Sequence, residues 1–86
     1  MDKEEALRTQ NVARNADELL IWTITWGTAD FGEQFVARPF LARANRFMHR
    51  YLLGDTLDDI RAQLPPGLIR LDPQPNDDPV IVEVWL

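Results

Sequence analysis

The chain has 86 residues, a formal net charge of −5 and no cysteine. That length holds one domain, and without disulfides or thiolate metal sites its stability has to come from a single apolar core. Hydrophobic residues make up 45%, with three Trp and four Phe, which is enough for such a core and excludes a disordered composition. The longest apolar run is far short of a membrane span and the N-terminus lacks a basic-then-apolar signal pattern, so a soluble, cytoplasmic protein is expected.

Asp2 and Glu5 have capping-box spacing, and Val12, Ala16, Leu19 and Leu20 fall on one helical face, with Ala6 and Ala13 as its other main members. This predicts a helix from about Lys3 to Asp17. The stripe is poor, and the alternative is a mobile arm over residues 1–18, outside a single small α+β domain at 19–86. From Leu20 to Trp26 the residues alternate with period two and are rich in β-branched and aromatic types, which predicts a strand with Leu20, Trp22, Ile24 and Trp26 on its apolar side. Gly27 to Gly32 carries turn chemistry.

Residues 34–53 read two ways. Phe40, Leu41, Ala44, Phe47, Met48, Tyr51 and Leu52 form a helical stripe, with Pro39 allowed at the first position and Gly54 as the stop. The rival is a β-hairpin: Phe35 to Leu41, a turn near Ala42–Asn45, then Arg46 to Leu53. In that arrangement Pro39 has to sit on an edge strand or at a bulge. Thr56 caps a second helix, about 56–64, with Asp58 and Asp59 at its positive end and Leu57, Ile60 and Leu64 as its buried stripe. Pro65, Pro66 and Gly67 end it. Leu68 to Leu71 is a brief strand, Asp72 to Pro79 a surface loop, and Val80 to Leu86 a strand apolar on both faces, interrupted by Glu83, as central strands are. Trp22, Ile24, Leu57, Ile60, Val82 and Val84 are the expected core, with Trp26 and Trp85 as further candidates.

The chemistry the chain excludes is broad. There is no serine and no cysteine, so the usual nucleophiles of acyl transfer are missing. Its one lysine is Lys3 and its one histidine is His49, so neither a buried Schiff-base lysine nor a two-His metal site is expected. The four glycines are scattered, without a phosphate-binding loop. No catalytic residue, metal site or cofactor is assigned. The residues with binding chemistry are Arg38, Arg43, Arg46, His49, Arg50 and Tyr51, where cations and aromatics interleave with no acid between positions 38 and 50. That combination suits protein hot spots and also single-stranded nucleic acid, although the negative net charge weighs against the second.

Phe35-Val36-Ala37-Arg38, the run Asp55-Thr56-Leu57-Asp58-Asp59-Ile60-Arg61 with Leu64-Pro65-Pro66-Gly67-Leu68, and the ending Asp77-Asp78-Pro79-Val80-Ile81-Val82-Glu83-Val84-Trp85-Leu86 together resemble a group of short bacterial, phage and prophage proteins with no established activity. The resemblance covers about residues 20–86 and implies the order strand, hairpin, helix, strand, which favours the hairpin for 34–53. The expected fold is therefore α+β: a small antiparallel sheet with the 56–64 helix packed on it and an N-terminal helix or arm. The expected function is a non-enzymatic protein-interaction protein of phage or mobile-element type, acting by occlusion on a host defence complex as anti-CRISPR inhibitors do. The alternatives are a nucleic-acid-binding accessory domain using the Arg/aromatic patch and an assembly subunit, as monomer or homodimer, pairing through a strand edge.

Overall fold

The structure is a computed structural model that describes all of residues 1–86. In chain order it comprises α1 (Lys3–Asn15), β1 (Leu20–Trp26), β2 (Phe35–Leu41), β3 (Arg46–Phe47), β4 (Leu52–Gly54), α2 (Leu57–Gln63), β5 (Arg70–Leu71) and β6 (Ile81–Trp85). The strands form one antiparallel sheet in the order β3-β2-β1-β6-β5, with β4 also paired to β2. This is the expected small α+β fold.

Local chemistry explains the element boundaries. The Asp2 side chain accepts from the Glu5 backbone N–H at 2.8 Å and starts α1. Thr56 caps α2 in the same way, accepting from the Asp59 N–H at 3.1 Å. Gly67, at φ +84°, turns the chain beyond Pro65 and Pro66 in a conformation that disfavours a side chain. In the 72–79 loop, Asp77 and Asp78 accept from the backbone N–H groups of Gln74 and Val80.

Residues 34–53 form the hairpin. Phe40 pairs with Phe47 and Leu41 with Arg46 across a turn in which Asn45 takes a positive φ. The second arm is broken. It runs as β3, leaves the ladder at 48–51, and returns as β4 opposite Phe35, Val36 and Ala37. Pro39 explains the position of the break. Its carbonyl accepts from Met48 at 2.9 Å, so it points away from β1. Its ring nitrogen faces the same way, where an uninterrupted partner would meet no N–H.

The register with β1 divides the side chains of the sheet between two faces. Leu20, Trp22 and Ile24 lie opposite Leu41, Pro39 and Ala37, and this face carries the helices. Leu20, Trp22, Ile24, Ala37, Leu52, Ile60 and Leu64 form the core cluster with Ala6 and Ala13 of α1. Leu57, Val82 and Trp85 pack against it, half-buried. The short side chains of α1 let it lie close to the sheet, and Gln10 between them accepts the Trp22 indole N–H at 2.8 Å. The inward face of α1 is thus Ala6, Gln10 and Ala13. Val12, expected on that face, is 68% exposed, and Leu19 is also exposed.

Two other core expectations change. Val84 pairs with Thr23 and so belongs to the opposite face, half-buried and outside the core cluster. Trp26, at the end of β1, is exposed with its ring 6.3 Å from that of Phe35. Between Ile24 and Thr25 the partner position in β6 jumps from Glu83 to Ile81, leaving Val82 as a bulge. The extra residue returns Ile81 to the face of Thr25.

Candidate functional site

The second face of the sheet has no helix on it. Ile21, Thr23 and Thr25 of β1 lie there beside Val36, Arg38 and Phe40 of β2, with Phe47 beyond Phe40. Val84 and Ile81 of β6 continue the face on the other side, and Leu71 of β5 pairs with Val84. Phe40 and Phe47 hold their rings 4.9 Å apart, and Phe47 is 48% exposed.

Part of this face is roofed by the loop after β1. Phe31 meets Tyr51 edge-on with ring centroids 5.0 Å apart, and the Arg38 guanidinium lies 5.9 Å from each ring. Asp30 stands 3.8 Å from the same guanidinium. Val36 is fully buried yet lies outside the main core cluster, because it is on this side of the sheet. Beside the roof is a hollow of about 330 Å³ with Thr23, Thr25 and Ile81 among its lining, and with Asp30, Arg38, Phe47 and Asp78 contributing charge and aromatic surface. Thr28 also lines it, and its hydroxyl is buried without a hydrogen-bond partner.

The sequence-predicted binding residues do not form one patch. Arg38 and Tyr51 come together around Phe31. Arg43 is in the hairpin turn, where its backbone N–H is held by Glu18 at 3.1 Å, and Arg46 follows on the helix side of the sheet, opposite Leu41. Arg50 points away from Arg38 and forms an ion pair with Glu5 of α1 at 2.8 Å. His49, Arg50 and Tyr51 together line a second hollow with Met1, Leu53 and Gln63. A third depression, about 720 Å³, runs between α1 and the hairpin past Val12, Ala16, Leu41, Ala44 and Met48.

Sequence reasoning missed the polar group with the most unusual setting. Glu83 is 3% exposed, on the helix side of β6. Its carboxylate accepts from Arg61 of α2 through Nε at 3.0 Å and through a terminal guanidinium nitrogen, from the Trp85 indole N–H at 3.1 Å, and from Arg70 at 3.4 Å. The Arg61 hydrogen bonds hold the Glu83 pKa below the ordinary carboxylate range against the opposing effect of burial, and the Trp85 N–H adds to this. Glu83 in turn raises the pKa of Arg61. This cluster ties α2 to β5 and β6. Both carboxylate oxygens accept hydrogen bonds in it. No group of His, Asp and Glu side chains is arranged to hold a metal ion, and no helix is long and apolar enough to cross a membrane.

No protein-family model, curated protein or solved structure matches the chain.

Proposed function

We propose that this chain is a non-enzymatic protein-interaction module, which acts by covering a surface of another protein and does so through the uncovered face of its sheet. The supporting observation is that face itself. Ile21, Phe40, Phe47, Ile81, Val84 and Leu71 lie on it around Thr23, Thr25 and Arg38 with no helix packed against them, Phe47 and Leu71 are exposed, and exposed apolar side chains grouped with polar ones are characteristic of protein contact sites. Arg38, expected to bind a partner, lies on this face with Tyr51 against it, and Arg and aromatic side chains are the usual anchors of interfaces. The wide separation of Arg43, Arg46 and Arg50 from Arg38 weighs against a phosphate-tracking groove. Inhibition of a larger machine by occlusion is the mode of action this reading favours.

The test is affinity capture from a bacterial lysate, with and without nuclease, using the parent chain and Phe47→Glu. Capture that is nuclease-resistant and lost in Phe47→Glu supports the proposal. Capture abolished by nuclease, or unchanged in Phe47→Glu, refutes the assignment of this face to a protein partner.

A further inference from the structure

We infer that β6 has a second register available, displaced by one residue, and that the hydrogen-bonded cluster at Glu83 holds the strand in the register seen here.

The bulge is the first observation. On one side of it Thr25 lies opposite Ile81; on the other, Ile24, Thr23 and Trp22 lie opposite Glu83, Val84 and Trp85. Continuing the Thr25–Ile81 pairing without the extra residue would set Val82 opposite Ile24, Glu83 opposite Thr23 and Val84 opposite Trp22. A one-residue slip sends each side chain to the other face of the sheet. Val84 would then turn toward the helices, and Glu83 and Trp85 toward the open face. That arrangement has no bulge, so its ladder is the more regular of the two. It also places Val82 and Val84 in the core together, as the sequence alone leads one to expect.

Apolar burial does little to choose between the two. Ile81, Val82, Val84 and Trp85 are all half-buried. After the slip Trp85 would lie opposite Ile21, exchanging one apolar neighbour for another. The opposing pairing is short, because β5 has two residues, extended by the mutual hydrogen bonds of Ile69 and Leu86.

Glu83 supplies the difference. It is the one fully buried residue of β6. Its hydrogen bonds come from Arg61 of α2, Arg70 of β5 and Trp85 of β6 itself. The cluster is complete only while Glu83 and Trp85 both face the helices. A carboxylate left there without those partners is strongly unfavourable. The arginines depend on the arrangement less. Their side chains are 38% and 48% exposed, and each has a second acid, Asp58 at 3.7 Å from Arg61 and Asp72 at 3.2 Å from Arg70. Loss of the carboxylate therefore removes the reason for the bulge while leaving both cations hydrated and paired. The consequence falls on the open face, which would exchange Val84 for Trp85 and the residue at position 83.

The experiment is nuclear magnetic resonance on the isotope-labelled chain, reading backbone contacts between β1 and β6. In the parent, Trp22 contacts Trp85 and Thr23 contacts Val84. Glu83→Lys sets a cation between Arg61 and Arg70 and is expected to shift the strand by one residue, so that Trp22 contacts Val84 and Thr23 contacts position 83. The double variant Arg61→Ala with Arg70→Ala strands the carboxylate instead and is expected to give the same shift. Val84→Lys is the control. Position 84 faces outward in the present register and inward after the slip, so this variant should keep the parent's contacts. A shift in one of the two cluster variants, with the other shifted or unfolded, supports the inference. It is overturned if either folds with Trp22 still opposite Trp85, or if Val84→Lys shifts. Unfolding of both cluster variants also overturns it, because a strand with a second register has an alternative to unfolding.

Discussion

The contact between Gln10 and Trp22 is the sharpest test of how the N-terminal helix belongs to the fold. Both residues are buried, and the Trp22 indole N–H has no acceptor other than the Gln10 amide oxygen at 2.8 Å. Gln10→Leu keeps approximately the same volume and helix propensity but removes the acceptor, leaving a buried donor unsatisfied at a cost of about 1–3 kcal/mol. Trp22→Phe strands the amide instead and adds a cavity term, so it should cost more. In the double variant both polar groups are gone. Its loss should then be smaller than the sum of the single losses by about 1–2 kcal/mol. For a domain of this length, each kcal/mol lowers Tm by about 4–8 °C.

Urea unfolding of the four proteins, followed by far-ultraviolet circular dichroism, measures the cycle without relying on tryptophan emission. If Gln10→Leu is as stable as the parent and the cycle closes with no coupling, α1 does not dock on the sheet at Trp22. Residues 1–18 would then behave as an arm.

The remaining expectations concern the other half of the core. Ile60→Ala, at a fully buried position of α2, should lose about 2–5 kcal/mol in the same unfolding assay. Gly54→Ala should also destabilise, because a β-carbon there comes within 3.0 Å of the Ile60 backbone nitrogen, and the helix has to shift to admit it; its urea midpoint should fall. Glu83 has a lower pKa folded than unfolded, so its contribution to stability is complete above the unfolded-state value of about 4.3. That contribution fades as pH drops through the folded value. Glu83→Gln should therefore flatten the acid side of the stability curve in urea melts taken from about pH 6 to 3.

Where one local rule acted alone, the chain was readable. The caps at Asp2 and Thr56, the alternation of Leu20 to Trp26 and the Pro-Pro-Gly stop each identify an element that is present. Residues 34–53 are different, because a hairpin and a helix produce the same spacing there. Phe40 and Phe47 are seven positions apart, which is two helical turns, but it is also the offset of a cross-strand pair flanking this turn. Periodicity cannot separate the two, and Pro39, acceptable both at a helix start and beside a strand break, does not decide between them. The inward face of α1 was legible only in part, since Ala6 and Ala13 were expected there but so were Val12 and Ala16, which are exposed. Close approach to the sheet selects short side chains, so Ala6 and Ala13 are buried while the larger Val12 is exposed. Period two, followed strictly, separates Val84 from Trp85 and places Glu83 on Trp85's side. The chemistry of a lone acid in an apolar strand argued the opposite, and the partners that resolve it, Arg61 and Arg70, are distant in sequence.

Of the sequence-predicted binding residues, the chain brings together His49, Arg50 and Tyr51 around one hollow, and Arg38 with Tyr51 through Phe31, a residue of the turn-rich loop that carried no binding signal of its own. A run of arginines in sequence is spread around a hairpin because successive strand residues point to opposite faces and the turn projects beyond both. Arg46 and Phe47, adjacent in the chain, therefore serve different sides of the molecule.

The location of the proposed contact follows from where the helices lie. Helices α1 and α2 both lie on one side, where they bury Trp22, Ile24 and Ile60, and the loop carrying Phe31 reaches only part of the other. A sheet with helices on one face only separates two kinds of substitution. Changes on the helix side, such as Ile60→Ala, should lower the melting point. Changes at exposed open-face positions, such as Phe47→Glu, should alter association while leaving the isolated chain folded. Melting and partner capture measured on one panel of variants therefore test the division directly. It fails if Phe47→Glu unfolds the chain as severely as Ile60→Ala.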